Sequence, residues 1–317
     1  MKKLPAIYIF YKRPDLVKET FPAIVKYRPE VLYLCQDGPK NKSEIPLIEK
    51  ARYMVLNMIT WDCKVVKIFR EKNLGLMGHI PDSLNRFFKK YDFGIYIEED
   101  IMVSDEFFKF QEEMYKKFKD DKKIAGITGF NPFGDKMNNL EHSYYLSQIG
   151  SVWGSGLFRR LWENYLLKPQ NFREVIFNLN KEKYFFSPKY SFYLEMYIDA
   201  IVSAKLKTWD TQINLSMIKN NLYFIYPKAN LVNNLGYYKD STSAFISSYY
   251  KEFGKIFPLR HPKKLEYNPE YDRIYFDNLL KGGWVRLWLI KIYLNLSDKI
   301  KNIIKSFIVF IKNLEMK

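Results

Sequence analysis

Residues 94–108 read GIYIEEDIMVSDEFF, in which an apolar run is followed at once by acidic side chains. The run GIYI predicts a buried strand, so Glu98, Glu99 and Asp100 stand where that strand ends. Neighbouring carboxylates repel one another and resist burial, and the cluster therefore needs compensation. Three explanations are open: the cluster caps the following helix, forms surface salt bridges, or holds a hard cation such as Mg²⁺ or Mn²⁺.

The chain before this stretch alternates strand-like and helix-like segments. Helical patterns separate apolar runs that favour β-structure, at residues 5–11, 31–39, 63–71 and 93–100. This order predicts parallel βαβ units and a sheet with helices on both faces. Because ligands of such sheets bind beyond the carboxyl ends of the strands, we expect Asp37, Asn73 and the acidic cluster to converge there.

After residue 100 the pattern becomes mixed. Residues 104–121 predict a strongly amphipathic helix with Ser104 as its cap. Residues 151–165, SVWGSGLFRRLWENY, read as a Gly-aromatic turn that runs into a helix, and a strand-like run occupies 222–236. The predicted fold class is α/β, with a Rossmann-like, mixed but mainly parallel sheet flanked by helices and a helical C-terminal extension.

Composition limits the function. The chain has 317 residues, with 51 Lys and Arg against 35 Asp and Glu, a net charge of +16. Such an excess indicates an anionic partner: nucleic acid, a phosphorylated substrate or an acidic lipid surface. The two cysteines, Cys35 and Cys63, lack metal-type spacing, which fits a reducing cytoplasm. No apolar run approaches the ~20 residues of a membrane-spanning helix, and the N-terminus reads as a first strand, not a signal peptide.

Several ordered motifs resemble a known group of enzymes. They are Asp37-Gly38-Pro39, Asn73-Leu74-Gly75-Leu76, Glu98-Glu99-Asp100, Ser151-Val152-Trp153-Gly154 with Arg159, Arg160 and Trp162, Thr208-Trp209-Asp210-Thr211-Gln212, and Asn230-Leu231-Val232-Asn233-Asn234-Leu235-Gly236. In this order, over residues 4–243, the chain resembles bacterial GT-A-type glycosyltransferases. These belong to the nucleotide-diphospho-sugar transferase superfamily, in the branch similar to N-acetylglucosaminyltransferase I. The family usually has Glu-Asp-Asp at the acidic cluster, and a His where this chain has Ser243, so no role of that His is carried over.

The resemblance implies metal-dependent, inverting transfer of a sugar from a nucleotide-diphosphate donor, a UDP-sugar, to a bacterial surface glycan such as lipopolysaccharide or capsule. It implies Mn²⁺ or Mg²⁺ as the cofactor. The implied site residues are Asp100 for the metal; Asp37, Asn73, Gly75, Glu98 and Glu99 for the donor; Trp153, Gly154 and Trp209 for the substrate pocket; and Asp210 as general base, with Glu195 and Asp199 in reserve. The implied divisions are 1–100 for the nucleotide sugar, 101–243 for the acceptor and catalysis, and 244–317 as the extension.

Each of these residues also has a purely structural explanation. Asp37 begins an Asp-Gly turn, and Asn73 stands where a helix cap would be. Trp153 would pack beside a tight turn. Asp210 comes at the start of an amphipathic segment, which an ordinary N-cap explains equally well.

The C-terminal tail has its own pattern. From Leu296 onwards apolar residues recur at three- and four-residue steps, with lysines mostly between them. This predicts a basic amphipathic helix on an anionic bilayer, although a helix docked on the protein's own core has the same apolar stripe. Membrane contact would suit a lipid-linked acceptor, and the expected location is cytoplasmic, peripheral at the inner face of the plasma membrane.

Three rival functions are weighed against the transferase. A nucleotidyltransferase needs a glycine-rich phosphate loop after the first strand, and FYKRPD lacks the glycines. A nucleic-acid-binding module would explain the positive charge, but the basic residues are spread along the chain and no RNA- or zinc-type motif occurs, so no nucleic-acid partner is expected. The third rival is a non-catalytic, membrane-associated scaffold.

Overall fold

A computed structural model gives the fold of the chain. It describes residues 3–131, 133, 140–165, 172, 174, 177, 187–236, 252–279, 283–297 and 300–301. Within these ranges the strands form one eight-stranded sheet and a separate two-stranded ribbon.

The first hundred residues form the parallel part of the sheet. The strands are β1 (Ala6–Phe10), β2 (Val31–Gln36), β3 (Lys64–Phe69) and β4 (Phe93–Glu98), and the helices between them are α1 (Pro14–Tyr27), α2 (Ile45–Met58) and α3 (Leu76–Phe88). β1 pairs in parallel with β2 and β4, and β2 pairs in parallel with β3. The predicted βαβ units are therefore confirmed. β1 is buried along its whole length, as a central strand covered on both faces requires.

The second part of the chain extends the sheet in mixed orientation. Its elements are β5 (Ile101–Val103), α4 (Phe107–Phe118), β6 (Ile124–Thr128), β7 (Tyr144–Ser147), β8 (Ser155–Phe158), α5 (Arg159–Glu163), α6 (Pro188–Val202), α7 (Thr211–Lys219), β9 (Tyr223–Pro227), β10 (Val232–Asn234), α8 (Pro269–Leu279) and α9 (Gly283–Asn295). The strand order of the sheet is β3-β2-β1-β4-β8-β6-β9-β7, and β10 pairs with β5 in the ribbon. β8 runs antiparallel between β4 and β6, β9 is parallel to β6, and β7 is antiparallel to β9. The predicted mixed, mainly parallel sheet flanked by helices is confirmed.

Two local predictions are wrong. The turn at 151–154 does not run directly into a helix, because β8 intervenes and α5 begins only at Arg159. β8 is short, and a Cβ on its Gly156 would lie 2.2 Å from the Phe93 ring, so the strand needs glycine where β-formers give the usual signal. Ser104 does not cap α4 either: its amide donates to Leu231 O across the ribbon, and its buried hydroxyl has no partner among the described residues.

The predicted divisions are described only in part. The eight-stranded sheet takes strands from both sides of residue 100, and one hydrophobic core runs from Leu4 to Leu294. The boundary at residue 243 and most of the predicted tail helix after Leu296 lie outside the described residues. None of the described helices is long and apolar enough to cross a membrane.

Candidate active site

A cavity of about 240 Å³ opens beyond the carboxyl ends of β1, β2 and β4. Five residues that the sequence singled out line it, namely Asp37, Asn73, Gly75, Glu98 and Glu99. The lining also includes Tyr11, Lys12, Arg13, Lys40, Leu76 and His79, to which the sequence assigned no individual role. The parallel strands thus bring together residues far apart in the chain, at the edge of the sheet where ligands of such folds bind.

The Asp37 carboxylate organises one wall of this cavity. Its Oδ1 accepts from the amides of Gly38 and Leu74, each at 2.9 Å, and its Oδ2 accepts from the Gly75 amide at 2.9 Å and from Asn73 Nδ2 at 3.0 Å. Gly75 has φ of 69°, a left-handed conformation that favours glycine. Asp37 therefore does more than form a turn, because it holds the loop after β3 against the loop after β2.

Asn73 does not act as a helix cap. The residue at the N-cap of α3 is Gly75, whereas Asn73 Nδ2 donates to Gly38 O at 2.8 Å as well as to Asp37. The side chain joins the two loops, and the capping explanation for Asn73 is wrong.

Arg13 compensates the acidic cluster. Its Nε donates to Glu99 Oε1 at 2.6 Å and its Nη2 donates to Asp100 Oδ2 at 3.0 Å, while the Tyr11 amide donates to Glu99 Oε2 at 2.8 Å. Burial lowers the pKa of Arg13, but attraction to Glu99 and Asp100 outweighs it and raises the pKa overall. The explanation by ion pairing is thus the one observed, in a half-buried setting, and helix capping is wrong because α4 begins at Phe107.

Glu98 is held apart from this ion pair. Tyr96 OH donates to Glu98 Oε1 at 2.9 Å. Burial raises the pKa of Glu98 to about 8, and repulsion from Asp100 and Asp210 adds to the effect. The contribution of Asp210 shows that this residue, more than one hundred positions later in the chain, lies within electrostatic reach of the cluster.

Asp100 is the candidate metal ligand. Its Oδ1 is buried without a hydrogen-bond partner in the described structure, and a Cβ on Gly236 would lie 2.6 Å from its Oδ2. Within the described ranges no three His, Cys, Asp or Glu side chains are grouped as metal ligands. An Mg²⁺-like ion usually takes one or two carboxylates and draws its other oxygens from substrate and water, and the unpartnered Oδ1 of Asp100 could serve as one such ligand. The assignment of Asp100 stays a prediction.

Asp210 stands at the N-cap of α7 without capping it. The described structure shows no bond from its side chain to the first turn, and its Oδ1 accepts instead from Thr208 Oγ1. The adjacent Trp209 is only 4% exposed, with its ring 5.4 Å from that of Tyr96. Trp209 is thus a core residue directly beneath the site, and its assignment to a substrate pocket remains a prediction.

Trp153 and Gly154 lie outside the cavity lining as the structure describes it. Trp153 is half-buried, with its ring edge-on to Phe130 at 5.1 Å. Gly154 has φ of 57°, and a Cβ there would come within 2.7 Å of Val232 Cγ1. Tight packing accounts for the glycine, while a substrate-pocket function for either residue remains a prediction.

His79 is a site residue that the sequence analysis missed. It lines the cavity, it is 3% exposed, and neither ring nitrogen makes a well-formed hydrogen bond among the described residues, although the Cys35 backbone lies near enough to favour the protonated imidazole. Burial lowers the pKa of the imidazole, while the Asp37 carboxylate acts in the opposite direction. The signal in the sequence was its position one helical turn after Gly75. A buried polar ring without a well-formed hydrogen bond calls for an explanation, and a bound ligand would be one.

Comparisons with known proteins add little. No protein-family model matches the chain, and no curated protein matches it. Among solved structures the chain is similar to "S. aureus TarS 1-349", at 11% identity and a TM-score of 0.38, over 72% of this chain. The match covers 58% of the length of that chain. A likeness at this level is too weak to support a conclusion about function.

Proposed function

We propose that the protein is a glycosyltransferase that moves a sugar from a UDP-sugar to a bacterial surface glycan, with inversion and with Mn²⁺ or Mg²⁺ as the cofactor. The observation that carries the proposal is the cavity at the strand ends, where the Asp37 loop, the unpartnered His79 and the acidic cluster meet. The ordered motifs that resemble the GT-A family supply the reaction class.

The cavity suits a nucleoside diphosphate. The His79 ring and the Asp37 loop offer buried polar groups to a nucleobase and ribose, and Leu76 gives an apolar contact. Lys12, Arg13 and Lys40 line the same cavity and provide positive charge for a diphosphate. Glu44 positions part of this rim: it accepts from Lys12 Nζ at 2.6 Å and from the Lys40 amide at 2.8 Å.

Asp100 would hold the divalent cation through its unpartnered Oδ1. When bound, such an ion would neutralise the negative charge of the departing diphosphate. Arg13 contributes independently of the ion, because it fixes Glu99 and the second oxygen of Asp100 and keeps the cluster ordered. The tolerance of the adjacent Glu99 and Asp100 carboxylates thus rests on Arg13 first.

Asp210 is the proposed general base. Inversion requires a carboxylate that accepts the proton of the acceptor hydroxyl while the diphosphate leaves from the other face of the sugar. The hydrogen bond from Thr208 orients the Asp210 carboxylate, and the absence of a capping bond within the described residues leaves the other oxygen available for substrate.

A thermal-shift experiment with nucleotide sugars tests the proposal. UDP-sugars with Mn²⁺ should raise the melting temperature, because a ligand that binds only the native state stabilises it by mass action. His79→Ala should reduce the UDP-induced shift, measured from each variant's own baseline, by an amount that corresponds to about tenfold weaker binding. His261→Ala is the matched control, since His261 contacts Tyr144 outside the cavity lining that the structure describes.

Two results would contradict the proposal. The first is the lack of any shift, hydrolysis or transfer with every nucleotide sugar. The second is tight binding to oligonucleotides that weakens steeply with salt, which would favour the basic nucleic-acid-binding alternative.

A further inference from the structure

Helix α9 exposes a row of large apolar side chains. Trp284 is 45% exposed and Trp288 52%, and Val285, Leu289 and Ile292 are 71%, 51% and 56% exposed. Their spacing of one, three and four residues places all five on one side of the helix. Single exposed apolar residues are common on proteins, but a contiguous row marks a surface that something covers.

The opposite side of α9 is anchored to the protein. Leu287 is fully buried and Leu294 is 7% exposed. The helix packs on α6, and at the edge of the exposed row the Phe192 ring of α6 lies 5.6 Å from the Trp284 ring and 5.5 Å from the Trp288 ring, so the two tryptophans are exposed only in part. The exposed row is therefore presented by a docked helix.

The charge around the row selects among possible partners. Helix α9 contains Arg286 and Lys291 and no acidic residue. The ammonium of Lys291 lies 5.1 Å from the centre of the Trp288 ring. Residues 281–317 include eight basic and two acidic side chains within a chain of net charge +16. A second copy would bring the same positive charge to this face and be repelled, whereas an anionic surface would be attracted.

We propose that the α9 face, defined as Trp284, Val285, Trp288, Leu289 and Ile292, docks the protein on an anionic lipid bilayer. Tryptophan settles at the level of the lipid headgroups, and the aliphatic side chains enter the acyl boundary. Arg286 and Lys291 extend to the phosphates of anionic lipids, as long basic side chains do at interfaces.

The position of α9 relative to Asp210 indicates how docking on a bilayer would help the transfer reaction. Helix α6 packs against both α9 and α7, and Asp210 stands at the N-cap of α7, so α6 connects the helix that carries the α9 face to the helix that the candidate base precedes. A lipid-linked acceptor would then arrive on the side of the protein where its hydroxyl is needed. This use rests on the proposed transferase function, whereas the docking itself does not.

Co-sedimentation with lipid vesicles tests the docking. The full chain should bind vesicles that contain phosphatidylglycerol and bind phosphatidylcholine vesicles more weakly. The triple variant Val285→Ser, Leu289→Ser, Ile292→Ser should lower the partition coefficient by about tenfold or more, because three exposed aliphatic side chains lose their place in the bilayer. The matched control is Leu47→Ser, Tyr53→Ser on α2, whose side chains are 44% and 69% exposed and which should bind as the parent does.

Several results would overturn the proposal. They are failure of the parent to bind anionic vesicles, binding by the triple variant equal to the parent's, or an equal loss in the α2 control. A fall in oligomer mass in the triple variant with unchanged vesicle binding would identify a self-association surface instead. If the triple variant does not fold, Lys291→Glu tests the docking in its place. This variant should bind anionic vesicles more weakly and bind phosphatidylcholine vesicles as the parent does. Unchanged binding to anionic vesicles would reject the docking. The UDP-induced thermal shift of each folded variant separates this failure from failure of the proposed function.

Discussion

Arg13 determines how adjacent carboxylates share one strand end. Glu99 is 3% exposed, and its nearest positive charge is the Arg13 guanidinium, which also binds Asp100. Arg13→Gln should therefore lower the free energy of unfolding by about 2–4 kcal/mol, because it leaves a buried charge unpaired. The figure lies below that for a fully buried pair since the Arg13 side chain is 34% exposed.

Urea denaturation measures this effect, and Arg13→Lys is its control because it keeps the charge. Recovery of most of the lost stability in Arg13→Lys would show that charge, not packing, is what the cluster needs. Unchanged stability in Arg13→Gln would contradict the assignment of Arg13 as the compensating cation.

The Asp100 carboxylate has one oxygen on Arg13 and one without a described partner. Asp100→Ala should abolish the Mn²⁺-dependent part of UDP stabilisation, because the proposed metal ligand is gone. The fold should persist, since the ion pair between Arg13 and Glu99 remains. Thermal shift with UDP, with and without Mn²⁺, measures both effects, and metal-dependent UDP binding that survives in Asp100→Ala would reject the metal assignment.

The Asp210 carboxylate can be tested apart from stability, because it makes no described capping bond. Asp210→Asn keeps the shape of the side chain and removes its capacity to accept a proton. Turnover should fall by about 10²–10⁴-fold, the usual range for a lost general base, while donor binding and melting temperature persist. Near-normal turnover would move the assignment to Glu195 or Asp199. A large loss of stability without a separate kinetic defect would restore the helix-cap explanation.

At the scale of elements, Asp272 fastens helix α8 to the edge strand β7. Its carboxylate accepts from Ser147 Oγ at 2.5 Å, from the Gln148 amide at 2.8 Å and from Tyr267 OH at 2.9 Å. Burial raises the pKa of Asp272 from 3.8 to about 6. The folded state thus holds a proton that the unfolded state has released between these two pH values.

This difference fixes the sign of a pH dependence. Stability falls as pH rises wherever the native state binds more protons, so the Asp272 contribution should decline by about 3 kcal/mol between about pH 4 and pH 6. Urea denaturation of the parent and of Asp272→Asn across this range measures it, since the difference between the two proteins isolates one carboxyl group. The free energy of unfolding of the parent minus that of Asp272→Asn should fall as pH rises. If this value stays flat or rises with pH, the expected sign is wrong.

The elements also show what the sequence can reveal. The parallel strands were predictable because long apolar runs alternate with capped helical patterns, and their ends correctly indicated where Asp37 and Glu98 would meet. β8 was not, because its Gly156 is required by the approach of Phe93, a contact between distant parts of the chain. The bond from Arg13 to Glu99 and the buried, unpartnered ring of His79 likewise depend on tertiary packing, which local patterns do not encode.

For the whole molecule, the net charge of +16 is unevenly placed. Three basic and three acidic side chains line the candidate donor cavity, so the lining carries no net excess, although Lys12, Arg13 and Lys40 stand where a diphosphate would need them. Residues 281–317, around and beyond the α9 face, hold eight basic and two acidic side chains, an excess of six. This C-terminal part of the positive charge is the part that an anionic bilayer would attract.

The tail beyond α9 adds to the positive charge at the C-terminal end of the chain. Lys301 Nζ donates to Leu294 O at 3.1 Å, so this side chain satisfies a carbonyl of the last turn of α9. Residues 296–317 hold five basic and two acidic side chains. Deleting them should weaken binding to phosphatidylglycerol vesicles and reduce its salt dependence, because charge near the lipid surface is lost. Binding should not disappear, since the apolar row of α9 remains.

The matched measurement is transfer to a water-soluble acceptor. The shortened protein should still catalyse it, because residues 296–317 include neither Asp210 nor any residue that lines the candidate cavity as described. Equal vesicle binding before and after deletion would assign the whole affinity to the α9 face. Aggregation or unfolding of the shortened protein would show that residues 296–317 cover part of the core. In that case the apolar stripe from Leu296 is a docking face for the protein itself, and the bilayer contact ends with α9.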